Sequence, residues 1–193
     1  MKSPAELQTF FETNRGYLQI KWLHRNRTLF AQLKSQLAKG EVEKIKPGLY
    51  RKVGVFSATE WEEIGKIVPE GILCLQSAWQ YYELTTHISA QFHVAIPHKK
   101  KLVLPAYPPI KLYHWSNPNL EIGRLQKAGF QIFDLERSVC DAIRFRKKVG
   151  QEMATEVLKT YLKRKDRNLD KLLRYASKLR ILKVLQTYLD IGI

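Results

Sequence analysis

The stretch that decides the fold is RNRTLFAQLKSQLAKGEVEKIKPGLYRKV, which runs from Arg25 to Val53. Its first half has the apolar spacing of an amphipathic helix, with a buried stripe formed by Leu29 or Phe30, Leu33 and Leu37. We expect this helix to begin near Asn26 or Arg27. Gly40 suits the left-handed position that follows the last turn of a helix, so the helix is predicted to end just before it.

The second half of the same stretch predicts a β-hairpin. The segments EVEKI and LYRKV flank the sequence KPG, in which Pro47 and Gly48 fit the second and third positions of a type II turn. Alternation of apolar and polar residues is imperfect in both segments, so the sequence leaves the strand register open.

Two further helices are predicted before this stretch. Ser3, Pro4 and Glu6 have the pattern of a capping box with a first-turn proline, and YLQIKWLHRN, residues 17–26, is interpreted as a short second helix. Three helices followed by a hairpin are typical of a winged helix-turn-helix, whose third helix enters the major groove. We therefore predict a DNA-binding domain over residues 1–53.

The third predicted helix turns small and basic residues outward. Small side chains would let it approach base edges closely, so Arg27 and Thr28 are candidates for base contact, and basic residues of the helix and hairpin are candidates for phosphate contact. The residues predicted to contact DNA are Arg25, Arg27, Thr28, Ala31, Lys34, Ser35, Lys44, Lys46, Arg51 and Lys52. The competing interpretation is a small helical bundle with a solvated basic surface.

Composition and charge narrow the class of partner. The 193 residues contain 33 Lys and Arg against 18 Asp and Glu, which gives a formal net charge of +15 and favours a polyanionic partner. No apolar run is long enough for a membrane span or has the pattern of a signal peptide, so we predict a cytoplasmic protein with no membrane partner. Cys74 and Cys140 lie far apart and are predicted to be buried free thiols.

Residues 56–193 are predicted to form a second, mixed α+β domain, so the fold class is α+β. Ser57 and Glu60 are spaced as a capping box, and ILCLQSAWQYYEL, residues 72–84, is interpreted as a buried helix. Short runs rich in β-branched and aromatic residues predict strands: QFHVAIP, IKLYHW and FQIFDL. The last third has helical periodicity, interrupted at Gly150 and near Asn168.

The segment FDLERSVCDAI contains the densest cluster of charges in the chain, and two interpretations compete. Asp134, Glu136 and Asp141 could hold a magnesium ion in a nuclease or nucleotidyl transferase. Alternatively, Asp134 caps the following helix and Arg137 pairs with Asp141 one turn later, which we favour. No catalytic, Walker or dinucleotide-binding motif is present, so we predict no enzyme activity, no metal and no cofactor.

A second basic region begins with RFRKK, residues 144–148, and continues through LKRKDRNLDKLLRYASKLR. Charged helical faces are usually solvated, and that interpretation is preferred here. The alternative is an interaction module in which these helices bind RNA or an acidic protein.

The order of several segments resembles the AbiEi-type antitoxin family of bacterial abortive-infection systems. These segments are KGEVEKIKPGLYRKV, PEGILCLQSAWQYYELT, FHVAIPHK and GFQIFDLERSVCDAIRFRKKVG. The residues that match the family's recurrent positions are Gly48 and Tyr50, Ser77 and Ala78, Ile96 and Pro97, and Glu136, Arg137, Ser138 and Asp141.

The resemblance implies a transcriptional regulator that binds its own promoter through the winged helix. It also implies that the C-terminal domain counters a nucleotidyl transferase-like toxin without forming a stable complex with it, as in type IV toxin-antitoxin systems. The operator, the toxin and the oligomeric state are not specified by the sequence.

Overall fold

A computed structural model describes residues 5–56 and 59–190. The fold is mixed α+β, as predicted, and the chain divides into two compact units. The first unit extends to Ile67 and includes the segment Leu102–Ala106, and the second contains Val68–Lys101 and the chain from Tyr107 onward. The first compact unit thus extends beyond residue 53. That residues 1–53 form a DNA-binding domain stays a prediction.

The first unit combines helices with a small antiparallel sheet in the order β1-β3-β2. Its elements are α1 (Ala5–Thr13), β1 (Tyr17–Gln19), a 3-10 helix (Ile20–Leu23), α2 (Arg27–Ala38), β2 (Val42–Lys46), β3 (Leu49–Lys52) and α3 (Glu60–Ile67). The helices α1 and α2 pack against each other, and α2 also packs against β2. The core of this unit is formed by Leu7, Phe11, Leu18, Leu23, Leu29, Leu33, Val42 and Tyr50.

The stretch from Arg25 to Val53 forms a helix and a hairpin, as predicted. Asn26 caps α2, Gly40 follows it with a φ of 71°, and Gly48 has a φ of 82° in the turn between β2 and β3. A positive φ is accessible to glycine at little cost, which explains why these residues punctuate the segment.

The second predicted helix is wrong in its first part. Tyr17 and Leu18 are buried in a strand whose register sets Leu18 opposite Tyr50, and only the four residues after Gln19 form a 3-10 turn. Pairing with the hairpin outweighs the weak helical spacing of so short a segment. The predicted cap residues Ser3, Pro4 and Ser57 lie outside the described residues, while at the start of α3 the Thr59 hydroxyl accepts a hydrogen bond from the Glu62 amide at 3.2 Å.

The second unit surrounds a mixed sheet in the order β6-β5-β4-β8-β7. Its strands are β4 (Ile72–Leu73), β5 (Phe92–Pro97), β6 (Ile110–Trp115), β7 (Arg124–Lys127) and β8 (Phe130–Phe133). Its helices are α4 (Leu75–Tyr81), α5 (Asn117–Glu121), α6 (Leu135–Arg144), α7 (Arg146–Val149), α8 (Gln151–Lys163), α9 (Leu169–Lys178) and α10 (Leu182–Asp190). The pairs β4/β8 and β5/β6 are parallel, and the other neighbouring strands are antiparallel.

Most predicted elements of this unit are confirmed, including three strands and the helix breaks at Gly150 and Asn168. The segment 72–84 is corrected at its start, because Ile72 and Leu73 form the central strand and pair with both β5 and β8. Strand β7 was missed because its residues are largely exposed and lack apolar alternation.

The core of the second unit is built around α6, whose residues from Leu135 to Ile143 are all buried. Helices α4, α8 and α9 pack against it. Cys74 and Cys140 are buried free thiols, as predicted. Within the described part of the chain, every helix is too short or too polar to cross a membrane.

Candidate nucleic-acid interface

The start of α2 is held by its cap and by an unusual turn before it. The Asn26 side chain accepts hydrogen bonds from the amides of Thr28 and Leu29 at 3.0 and 3.3 Å. Immediately before it, His24 and Arg25 both adopt left-handed backbone conformations, with φ of 45° and 59°. Non-glycine residues rarely adopt this conformation, so two in succession mark a turn that the surrounding packing has to hold in place.

The burial of α2 divides its two faces cleanly. Leu29 and Leu33 are each 2% exposed and anchor the helix to the core of the first unit. The opposite side, which we call the α2 face, consists of exposed residues: Arg27, Thr28, Ala31, Lys34 and Ser35. These are the outward positions predicted from the sequence, and they extend about 12 Å along the helix axis at 1.5 Å per residue.

The two charged residues of the α2 face, Arg27 and Lys34, are both cations. No acidic residue occurs anywhere in α2, and Arg27 is its first residue. A cation at the positive end of a helix is unfavourable for the helix itself. Arg27 therefore adds a positive charge at the end of the helix where the helix dipole is also positive.

Arg25 lies beside the α2 face and is also exposed. It lines a surface depression of about 510 Å³ together with Lys21 and Phe30. Lys21, which the sequence interpretation did not select, belongs to the 3-10 helix and is exposed. Its proximity to Arg25 follows from the left-handed turn, which has no clear signal in the sequence.

The first strand of the hairpin carries two of the cations predicted to contact phosphate. Lys44 is exposed and Lys46 is half-buried, with an irregularity in the strand pairing between them. The turn residue Pro47 is exposed. The hairpin thus offers Lys44 as an exposed candidate for contact with phosphate, and the contact predicted for the half-buried Lys46 stays a prediction.

Arg51 and Lys52 have partners within the first unit. The Arg51 side chain is 13% exposed and forms ion pairs with Glu43 at 2.8 Å and Glu63 at 2.9 Å. Burial alone would lower the pKa of its guanidinium, but hydrogen bonds with Tyr17 and Glu43 raise it above the ordinary value. The Lys52 ammonium donates a hydrogen bond to the Gln8 side chain. Both cations therefore have contacts within the first unit, and their predicted contact with DNA stays a prediction.

The acidic cluster of α6 has the structural role that the sequence favoured. The Asp134 carboxylate accepts a hydrogen bond from the Arg137 amide at 2.9 Å, and the Arg137 Nε lies 3.0 Å from Asp141 Oδ2. Glu136 is paired with the ammonium of Lys171 at 3.0 Å. Among residues 5–56 and 59–190, no group of three or more His, Cys, Asp or Glu is arranged to hold a metal ion.

Comparisons with known proteins concern the fold. No protein-family model and no curated protein matches the chain. The structure is similar to a crystal structure of the RV2827C protein from Mycobacterium tuberculosis, with a TM-score of 0.57 and 12% sequence identity. The match covers 92% of this chain and 75% of that one. At this identity the similarity establishes a shared α+β fold, and the two proteins have in common an architecture that extends over most of both chains.

Proposed function

We propose that the protein binds double-stranded DNA through the α2 face and the hairpin, and that it acts as a transcriptional regulator of its own operon. The observation that carries the proposal is the α2 face: an exposed, acid-free helical surface that begins with arginine and is held from behind by Leu29 and Leu33. Its small central residue, Ala31, would leave room for base edges.

The order of elements supports the same proposal. A helix, a short strand, a 3-10 turn, a second full helix and a hairpin follow one another in the first unit. A winged helix-turn-helix uses this order, with the later helix in the major groove and the hairpin along the backbone. In that arrangement α2 reads bases, and Lys44 and Lys46 contact phosphate.

The antitoxin part of the proposal rests on the resemblance to the AbiEi-type family. In that role the second unit counters a nucleotidyl transferase-like toxin without a stable complex, and the protein acts in the cytoplasm. The expected genetic context is a nucleotidyl transferase-like reading frame beside this one.

DNA binding is tested by titrating the full chain against a labelled duplex from upstream of its gene at several salt concentrations. We expect an affinity at least about a thousandfold tighter than for random duplex of the same length, since specific sites commonly exceed non-specific ones by that factor or more. Equal affinity for both duplexes would refute the regulator, whatever the salt dependence.

The antitoxin role is tested separately, by co-expression with the neighbouring toxin. The full-length Arg27→Ala variant should lose repression of a reporter while it still relieves toxicity. If wild-type protein gives no relief of toxicity, the antitoxin role is wrong, and the DNA-binding result is unaffected.

A further inference from the structure

The second unit contains a cleft of about 970 Å³ that the proposed DNA contacts do not use. Its walls come from β6, from the loop before β5, and from the junction of α6 and α7. The size lies at the upper end of the range for small-molecule sites, about 300 to 1,000 Å³.

The charge of the cleft is positive. Lys111, Arg144 and Lys148 line it, and none of its described lining residues is an aspartate or glutamate. Arg144 and Lys148 lie near the same aromatic ring, since the Arg144 Cζ is 5.2 Å and the Lys148 Nζ 6.0 Å from the centroid of Phe145. Two of the three cations therefore lie beside the same aromatic ring of the cleft.

Arg144 is the most buried of these three cations. Its Nη1 atom is buried and has no hydrogen-bond partner among the described residues. The closest acid on its helix, Asp141, is already paired with Arg137. Burial lowers the pKa of Arg144, although the charge of Asp141 opposes that effect. A half-buried guanidinium is costly, and an anion in the cleft would add a second counter-charge to that of Asp141.

The remaining lining of the cleft combines histidine, amide, hydroxyl, aromatic and aliphatic side chains. His93 is 7% exposed, and its Nδ1 shares a hydrogen bond of 3.1 Å with the Tyr113 hydroxyl. Burial, helped by Lys111, lowers the pKa of His93 to about 4, and burial raises the pKa of Tyr113 to about 12, so both are uncharged at neutral pH. The side chains of Gln76, Gln91 and Asn119 add uncharged donors and acceptors.

We propose that this cleft binds an organic phosphate of mononucleotide size. Arg144, Lys148 and Lys111 would meet the phosphate, because a cleft lined by three cations and by no carboxylate favours a multiply charged anion. The neutral amides and the aromatic side chains would contact the organic part, since aromatic faces and amide groups are suited to a heterocyclic base. The proposal is independent of DNA binding, which involves the first unit.

The test is isothermal titration of the full-length protein at low salt with four probes: AMP, ATP, inorganic phosphate and adenosine. We expect the two nucleotides to bind, and ATP to bind more tightly than AMP. Adenosine and inorganic phosphate should each bind at least about tenfold more weakly than AMP, because each lacks one half of the recognised chemistry.

A matched pair of variants separates the cleft from general surface charge. Lys148→Gln removes an exposed cation that lines the cleft, and Lys147→Gln removes its exposed neighbour, which does not line it. We expect the first to weaken ATP binding about fivefold or more and the second to leave it unchanged. Arg144→Gln should weaken it further, with the exposed Arg174→Gln as the control for an arginine elsewhere in the unit.

Several results would overturn the proposal. Equal losses in Lys147→Gln and Lys148→Gln would assign the binding to diffuse charge. Equal affinity for inorganic phosphate and AMP would exclude recognition of the organic part. Binding of a single-stranded RNA in the absence of any nucleotide binding would assign the basic surface to a macromolecule. Because Lys148 is exposed, its replacement tests the site even if Arg144→Gln fails to fold.

Discussion

Arg27 begins α2 in the first unit, and Arg137 lies in the first turns of α6 in the second, yet the two arginines are used in opposite ways. Arg27 is exposed and has no ion pair with another described residue. Arg137 is fully buried, paired with Asp141, and donates hydrogen bonds of 2.6 Å to the carbonyl oxygens of Asn119 and Ile122. The comparison teaches that a cation inside a dense acidic and aromatic environment is structural, whereas one on an acid-free surface is available to a partner.

The surroundings of Arg137 strengthen this contrast. Its Cζ lies 4.2 Å from the ring centroid of Phe133 and 5.4 Å from that of Trp115. The tight approach of Gly123 leaves no room for a side chain, since a Cβ there would come within 2.5 Å of the Arg137 Cβ. The buried pair is thus part of the packing of α5, α6 and the sheet.

The largest expected effect comes from Arg137→Met, which would leave Asp141 buried without its counter-charge. We expect the free energy of unfolding to fall by about 3 to 5 kcal/mol. Chemical denaturation followed by tryptophan fluorescence measures it. The double variant Arg137→Met/Asp141→Leu should recover much of the loss, and Arg174→Met, on the exposed side of α9, should change stability by less than about 0.5 kcal/mol. A loss below about 1 kcal/mol for the single variant would contradict the assigned role.

The next largest effect is the pH dependence of stability that comes from the buried His93. The pKa of His93 is about 4 in the folded protein, against an ordinary value near 6.5. As the pH falls below about 6.5, His93 is protonated in the unfolded chain, whereas in the folded chain it stays neutral until the pH reaches about 4. Stability is lost across this window, by about 3 kcal/mol from this residue.

The control for this pH dependence is His93→Gln, which keeps hydrogen-bonding capacity but does not titrate. We expect the melting temperature of this variant to change less than that of the wild type between pH 7 and 4.5. The exposed His114→Gln should behave like the wild type. Parallel curves for wild type and His93→Gln would show that the buried imidazole is not responsible.

A smaller effect is expected for Arg27, the exposed arginine of the comparison. Arg27→Ala should change DNA recognition and leave the fold intact. We expect discrimination between operator and mismatched duplex to fall by about 1 to 3 kcal/mol. Competition binding measures it, with a stability change below about 0.5 kcal/mol as the check on folding. Undiminished discrimination would remove Arg27 from base reading.

Asn26→Ala tests whether the α2 face depends on its cap. Losing the side-chain acceptor for the amides of Thr28 and Leu29 should cost about 1 kcal/mol of stability. Asn26→Asp keeps an acceptor and should restore stability, but its negative charge should weaken DNA binding at low salt. If Asn26→Asp is destabilised as much as Asn26→Ala, the side-chain acceptor of Asn26 does not stabilise α2.

The smallest effect is expected from Lys44→Ala, which should weaken binding to all duplexes alike and lower the slope of log affinity against log salt by about 1. Arg51→Ala is its counterpart, since Arg51 is held by Glu43 and Glu63. It should reduce stability and leave the salt slope unchanged. Identical salt slopes for wild type and Lys44→Ala would exclude Lys44 from contact with phosphate.

Local patterns predicted much of the fold because their physical causes are local. The apolar spacing of Leu29 and Leu33 predicted the buried side of α2, and the position of Gly48 predicted the turn of the hairpin. The cap and ion pair of α6 were predicted from Asp134, Arg137 and Asp141 for the same reason: the partners lie within two helical turns.

Long-range pairing explains the misses. Tyr17 and Leu18 form a strand because the hairpin, more than thirty residues later, offers them a partner. Ile72 and Leu73 likewise become the central strand through contacts with β5 and β8. The ion pair of Arg51 with Glu63 on α3 was not predicted for the same reason, since the two residues lie 12 positions apart.

By itself, the sequence determined the mixed α+β class, the limits of α2, the two buried thiols and the excess of positive charge. Each of these depends on composition or on residues a few positions apart. Only the tertiary structure decided which cations remain exposed, and it alone brought Lys111, Arg144 and Lys148 to one cleft. The physical reason is that burial and pairing of a charge depend on neighbours from distant parts of the chain, which folding alone brings together.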